Sequence, residues 1–238
     1  MKLQSIFCQF FTLYFGTILL VICQFVPASR YLQSSAIINN SRWYFFGGEI
    51  ENNGGNNNDS NEVFYLKLSK SFYTDSPSWV KEETGSPLAN VFSTSYVYPD
   101  NSSVLIIGGV MVDPMTQGAA PNSSAIYKYN LNDSSWEVPK ITGIDNFAVC
   151  GGLQSITDNT GRVFLYGGMQ NYSGLICNKM SILFINKMSW LTINLTTSRV
   201  GYTATLDKSG NITYIGGRSM PNFNSNSYVS MKEVCFLY

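Results

Sequence analysis

The chain contains no histidine. That excludes Ser-His-Asp and Cys-His nucleophilic triads, imidazole general bases, and imidazole sites for copper, zinc or non-haem iron. No Cys-x-x-Cys pair and no Asp-rich loop supplies thiolate or carboxylate ligands at metal-binding spacing. Charge is scarce as well, at 13% of residues with a formal net charge of zero. A nucleic-acid binder needs a basic stripe to neutralise phosphates, so that partner class is excluded. Glu62, Asp145 and Asp207 have no paired arrangement, which leaves a two-carboxylate hydrolase unmotivated. No catalytic residue, cofactor or metal is expected. What the chain does have is apolar bulk: 45% hydrophobic and 14% aromatic residues over 238 positions, enough to bury a single core and too much for a disordered chain.

Long hydrophobic runs are absent except for one. Lys2 precedes "SIFCQFFTLYFGTILLVICQFV" (5–26), and "VPASR" follows. Val26 and Ala28 are small residues at the −3 and −1 positions of a cleavage site after Ala28, so residues 1–28 have the form of a secretory signal peptide. The alternative is an uncleaved anchor, since 22 helical residues reach about 33 Å and cross a hydrocarbon core. Either way residues 29–238 are expected in the secretory pathway, secreted or extracellular, or held at a membrane by the N-terminus. Eight Asn-x-Ser/Thr acceptors fit that compartment: Asn39, Asn58, Asn101, Asn122, Asn132, Asn171, Asn194 and Asn211. Outside the leader stand three cysteines, Cys150, Cys177 and Cys235. An odd number leaves at least one unpaired or bonded to another chain. Cys150–Cys177 is the first candidate disulfide, with buried free thiols as the alternative.

The body of the chain repeats. Four apolar runs end in adjacent glycines: "WYFFGGE" (43–49), "VLIIGGV" (104–110), "VFLYGGM" (163–169) and "ITYIGGR" (212–218). The doublets are Gly47-Gly48, Gly108-Gly109, Gly167-Gly168 and Gly216-Gly217, spaced by 61, 59 and 49 residues. A short alternating segment follows each: "EVFYL" (62–66), "SAIYKY" (124–129), "SILFI" (181–185) and "EVCFL" (233–237), with Tyr65, Tyr127, Phe184 and Phe236 aligned as one aromatic column. Trp79, Trp136 and Trp190 come next in three units. Arg30 and Arg199 lie 17 residues before the first glycine in two units. Alternation over such short runs predicts strands with a buried face. Each unit is therefore a four-stranded antiparallel sheet, and sheets of this kind bury both faces when packed radially. The doublets end blade strands where a missing Cβ allows a tight turn and close approach of backbone.

Four apolar residues, Gly-Gly, an aromatic and then a tryptophan resemble the kelch repeat, about 50 residues per blade. The resemblance spans 29–238 and implies an all-β kelch-type β-propeller with about four antiparallel blades, near 29–80, 81–140, 141–197 and 198–238, the last without its outer strand. Kelch propellers of six or seven blades need roughly 300–350 residues, so an incomplete propeller is expected, with a ring closed by a second chain as the alternative. Where family members often carry a His three residues after the Arg, this chain has Gln33 and Tyr202. Galactose-oxidase-like enzymes share the propeller, but their copper site requires histidines.

Loops 49–61, 110–124, 168–179 and 218–230 join equivalent strands and should leave the same face. Arg30 and Arg199 are expected to bond blade carbonyls, and the tryptophans to fill inter-blade seams. The expected function is non-catalytic binding of proteins through these loops. A glycan-binding or degenerate galactose-oxidase-like propeller is the second reading, and a fragment without independent function the third. A membrane partner enters only if residues 5–26 persist as an anchor.

Overall fold

The computed structural model describes residues 25–51, 58–118, 120, 124–144, 150–170, 175–219, 228–230 and 234–237. Residues 1–24 of the expected 1–28 leader, Asn122, Asn171 and Asp145 lie outside them. The fold is all-β. Among the described residues the one helical segment is a single 3-10 turn at Ile185–Lys187, and no helix is long and apolar enough to cross a membrane.

Strands follow the sequence's alternation. The first blade has inner strand Ser34–Ile38, then Arg42–Phe46 ending at the doublet, Val63–Lys67, and outer strand Trp79–Lys81, all antiparallel in that order. The second repeats this with Thr94–Val97, Ser103–Ile107, Ile126–Asn130 and Ser135–Glu137. The third uses Ile156–Thr157, Arg162–Tyr166, Lys179–Phe184 and Ser189–Asn194. The fourth sheet has Thr203–Leu206, Ile212–Ile215 and Val234–Leu237. Lys81 belongs to the first sheet, one residue past the expected boundary.

Each sheet packs on the next. Tyr44, Phe46 and Val63 meet Val104, Ile106 and Tyr129 in the first seam. Leu105, Ile107 and Ile126 meet Val163, Leu165 and Leu183 in the second. Tyr166 and Met180 meet Tyr202, Ala204 and Tyr214 in the third. Every residue of Ser103–Ile107 is buried, the second blade being covered on both faces, whereas the equivalent strand of the first blade, Arg42–Phe46, buries only Tyr44 and Phe46.

Two expectations change. The aromatic column is not a structural column. Strand register aligns Val63, Ile126, Met180 and Val234, each opposite the residue before a doublet. Tyr65 and Phe236 then share one position, but Tyr127 falls one place earlier and Phe184 two later. The loops differ in length, so counting from the glycines misplaces the strand starts. The tryptophans do share a register, opposite Leu66, Tyr129 and Leu183. Trp136 and Trp190 fill seams toward the preceding blade, whereas Trp79 stands on the other face of the first blade against Phe45 and Phe64, at 5.6 and 5.7 Å.

All eight doublet glycines have positive φ. The first of a pair also accommodates the next blade. A Cβ on Gly47 would lie 2.3 Å from the Asn90 carbonyl oxygen, and one on Gly167 would lie 2.2 Å from that of Arg199. Gly48 and Gly168 donate their N–H groups to those same carbonyls at 2.9 and 2.8 Å. By contrast Gly210 has positive φ with nothing within 4 Å of an added Cβ. Gly210→Ala should therefore cost only the left-handed backbone penalty, about 1 kcal/mol. Gly167→Ala adds a backbone clash across a seam and should cost at least twice as much. Thermal melting of both variants checks this, the smaller loss corresponding to roughly 2–4 °C.

Candidate binding face and its anchors

The loops after the doublets all begin at the same end of the sheets, and each is tied down by a short second ladder. Residues directly after a doublet pair antiparallel with the segment just before the same blade's inner strand. Tyr31 pairs with Glu49, Val91 with Val110, Gly151 with Met169 and Val200 with Arg218. In the first unit Asn58–Asp59 adds a third strand.

This register places Arg30, Asn90, Cys150 and Arg199 at one position, immediately before the ladder residue. Each fastens its blade by different chemistry. Arg30 donates to the Gly47 carbonyl at 3.1 Å and to the Glu62 carboxylate at 2.5 Å, its guanidinium stacked over Phe64 at 4.6 Å. Asn90, fully buried, donates to Ser86 Oγ and accepts from the Ser93 hydroxyl. Cys150 forms a disulfide with Cys177, their Cα atoms 6.7 Å apart. Arg199, also buried, donates to the Tyr214 carbonyl at 3.4 Å. Both arginines thus reach blade carbonyls. Glu62 and Cys177 lie where the chain returns from the loop, so the Arg30–Glu62 pair and the disulfide close the first and third loops onto the scaffold. Asn90 escaped the sequence reading, and Cys150 was singled out only for its disulfide with Cys177 and not for this shared position, because neither is an arginine. The shared signal is a position two residues before a left-handed residue, which only the backbone reveals.

That left-handed position is a second missed feature. Leu32, Phe92, Gly152 and Gly201 have φ of 60°, 60°, 68° and 64°. Phe92 N–H donates to the Leu32 carbonyl, Gly152 N–H to that of Phe92, and Gly201 N–H to that of Gly152. One backbone hydrogen bond per seam links the blades beside their inner strands. Hydroxyls add to it: Ser95 donates to the Ser35 carbonyl and Ser155 to that of Ser95. Tyr202, standing where kelch members often have His, donates to the Tyr166 carbonyl across the third seam, and burial raises its pKa.

On the loop face, Gln117 clamps two loops together. Its side-chain oxygen accepts from Asp59 N–H at 2.8 Å and its amide donates to the Asp59 carbonyl at 3.1 Å. The loops after the doublets also carry apolar and aromatic groups open to solvent: Met115 is 90% and Tyr228 67% exposed, with Leu175 and, just before the first inner strand, Tyr31 about half exposed. Tyr228 is stacked by the Arg218 guanidinium at 4.8 Å. The opposite end of the sheets also exposes aromatics, Tyr73 and Phe72. Its turns carry Asp100, Asp158 and Asp207, each accepting N–H groups of its own turn; these lower the carboxyl pKa at Asp100 and Asp207, and at Asp158, where burial alone would raise it, they and the Thr160 and Arg162 side chains outweigh burial. Asp207 is a turn cap there. Glu62 is an ion-pair partner.

Burial alone would raise the Glu62 pKa, but hydrogen bonds and charges of Arg30 and Lys81 outweigh it, and the carboxyl titrates below its ordinary range. A depressed folded-state value stabilises above the unfolded pKa of about 4.3 and is lost as pH falls through the folded value. Glu62→Gln should therefore melt below the parent protein at pH 7, and the gap should close below about pH 4. Reduction should also lower the melting temperature. The Cys150–Cys177 loop, with a sequence separation of 27, is worth about 3–4 kcal/mol on chain entropy. Melting with and without reductant, set beside Cys177→Ala, checks it.

The comparisons with known proteins agree with this geometry. A solved structure entitled "Structure of YjhT" is similar over 79% of this chain and 59% of its own, with a TM-score of 0.61 and 19% identity. The chain thus spans less than two thirds of that relative's length, and the likeness is one of fold. Curated proteins give no match by sequence. The family model for the KLHDC2/KLHL20/DRC7 Kelch-repeats domain matches residues 18–217. Four Gly-Gly blades, seam tryptophans and that match lead to one conclusion: the chain belongs to the kelch-repeat family.

Proposed function

We propose that the protein is a non-catalytic scaffold that binds other proteins through the loop end of its blades. The observation that carries this is how the loop end is fastened. Exposed aromatics occur at both ends, Tyr73 and Phe72 at the turn end among them, but the loop end holds exposed Met115, Tyr228, Tyr31 and Leu175 on loops tied down by a disulfide, an ion pair and the Gln117 clamp. Exposed apolar and aromatic groups on a rigid base are what a protein interface requires. The tyrosine rings favour glycans as a second class of partner, since their faces offer stacking platforms.

We further propose that the apolar N-terminal segment directs the chain into the secretory pathway. Cleavage after Ala28 would release a soluble protein. Retention is favoured by the contact of Phe25 with Phe64 at 5.9 Å and by a family match that begins at residue 18. In that compartment the exposed acceptors Asn39, Asn58, Asn132 and Asn194 carry glycans, while Asn211, whose amide bonds Asp207, is a poorer acceptor.

The test is affinity capture with the full chain from secreted and membrane-surface fractions, against Met115→Glu/Tyr228→Glu and a turn-end variant, Lys208→Glu. Partners should be lost only with the loop-end variant, at unchanged melting temperature. Equal capture by both would sink the reading. Competable binding on a glycan array would replace protein with glycan as the ligand class.

A further inference from the structure

The charges of the four loops are segregated. Residues 49–61 and 110–124 contain Glu49, Glu51, Asp59 and Asp113 and no Lys or Arg, whereas 168–179 and 218–230 contain Lys179 and Arg218 and no acid. The chain as a whole has a formal net charge of zero, so the first two loops concentrate negative charge that the rest of the molecule balances elsewhere. Their undescribed residues, 52–57, 119 and 121–123, are all uncharged, so none of them alters that sum.

The structure draws these two loops together. Glu49 stands directly opposite Asp59 across a short antiparallel ladder. Gln117 of the second loop then holds both the N–H and the carbonyl of Asp59. The turn that presents Gln117 begins at Asp113, whose carboxylate accepts the N–H groups of Thr116 and Met115; these lower its pKa and keep it ionised. Like charges facing each other across a ladder are unfavourable. The Tyr31 hydroxyl donates to Glu49 at 2.6 Å, but a neutral donor brings no opposite charge. At the base of the first loop Arg30 and Lys81 both pair with Glu62, so that group sets one net positive charge against four negative ones. Among the described residues no three acidic, Cys or His side chains gather closely enough to hold a metal ion. The field therefore matches cations spread over a surface, not a single ion.

We propose that the loops of the first two blades dock a basic segment of a partner polypeptide, its Lys or Arg side chains set against Glu49, Glu51, Asp59 and Asp113 and an apolar residue against Met115. The proposal rests on the loop-end reading and names the chemistry of the partner. The carboxylates steer and select the segment. The exposed, unbranched thioether of Met115 adapts to the apolar residue that arrives with it.

The probes are two fluorescein-labelled peptides, Leu-Lys-Gly and Leu-Glu-Gly, each repeated four times. Titrated with the full chain at low salt, the lysine peptide should show saturable anisotropy and the glutamate peptide none. Raising salt to about 0.5 M should abolish the binding by screening. Glu49→Gln/Glu51→Gln/Asp59→Asn should weaken it about tenfold at unchanged melting temperature, whereas Asp75→Asn/Asp133→Asn/Glu137→Gln, which removes the same charge elsewhere, should not. No binding of the lysine peptide, equal binding of the two peptides, or equal loss with the two triple variants would each overturn the proposal. Loss of captured partners with Met115→Glu/Tyr228→Glu beside any of those results would keep the loop-end reading and remove only the basic partner. The peptide comparison uses the unaltered protein, so it decides even if a triple variant unfolds.

Discussion

The fold depends on a contact with no side chain in it. At Gly47 and Gly167 the carbonyl of the following blade's anchor residue occupies the space a Cβ would need, and the next glycine's N–H bonds that same oxygen. One atom of the second blade thus sets where the first blade's strand ends and how its loop departs. Apolar packing supplies most of the driving force in each seam, yet it is tolerant of small slides. The glycine–carbonyl contact is not, because a hydrogen bond and a steric stop act on one atom together.

From that fixed point the blades diverge in chemistry while keeping one geometry. At Asn90 and Arg199 the carbonyl meets the preceding doublet while the side chain acts elsewhere, and across the four units this position makes an ion pair, an amide network, a disulfide and a carbonyl bond. A position conserved in backbone role but not in residue type is consistent with this. The backbone does the inter-blade work, and the side chain needs only to tie the returning loop down. Loop length and composition can then vary without moving the seam.

Most of the architecture was legible in the sequence because the doublets and tryptophans have local causes. A strand ending in positive φ twice in succession demands glycines, and a seam of fixed width asks for an indole at Trp136 and Trp190. The aromatic column was misread because Tyr127 and Phe184 are counted across loops of unequal length, whereas pairing is set by hydrogen bonds. Trp79 matched the pattern, but its face meets no described blade. The anchor position was only half visible: Arg30 and Arg199 share a residue type, while Asn90 and Cys150 share only a location. Leu32 and Phe92 gave no signal at all, since neither residue advertises a left-handed backbone.

The chain of backbone hydrogen bonds through Leu32, Phe92, Gly152 and Gly201 joins each blade only to its neighbours, as the apolar seams do. Among the described residues the second and third blades are each held by two seams, so opening either one breaks two interfaces at once. The Cys150–Cys177 crosslink falls within the third of these blades, one of the two held on both sides.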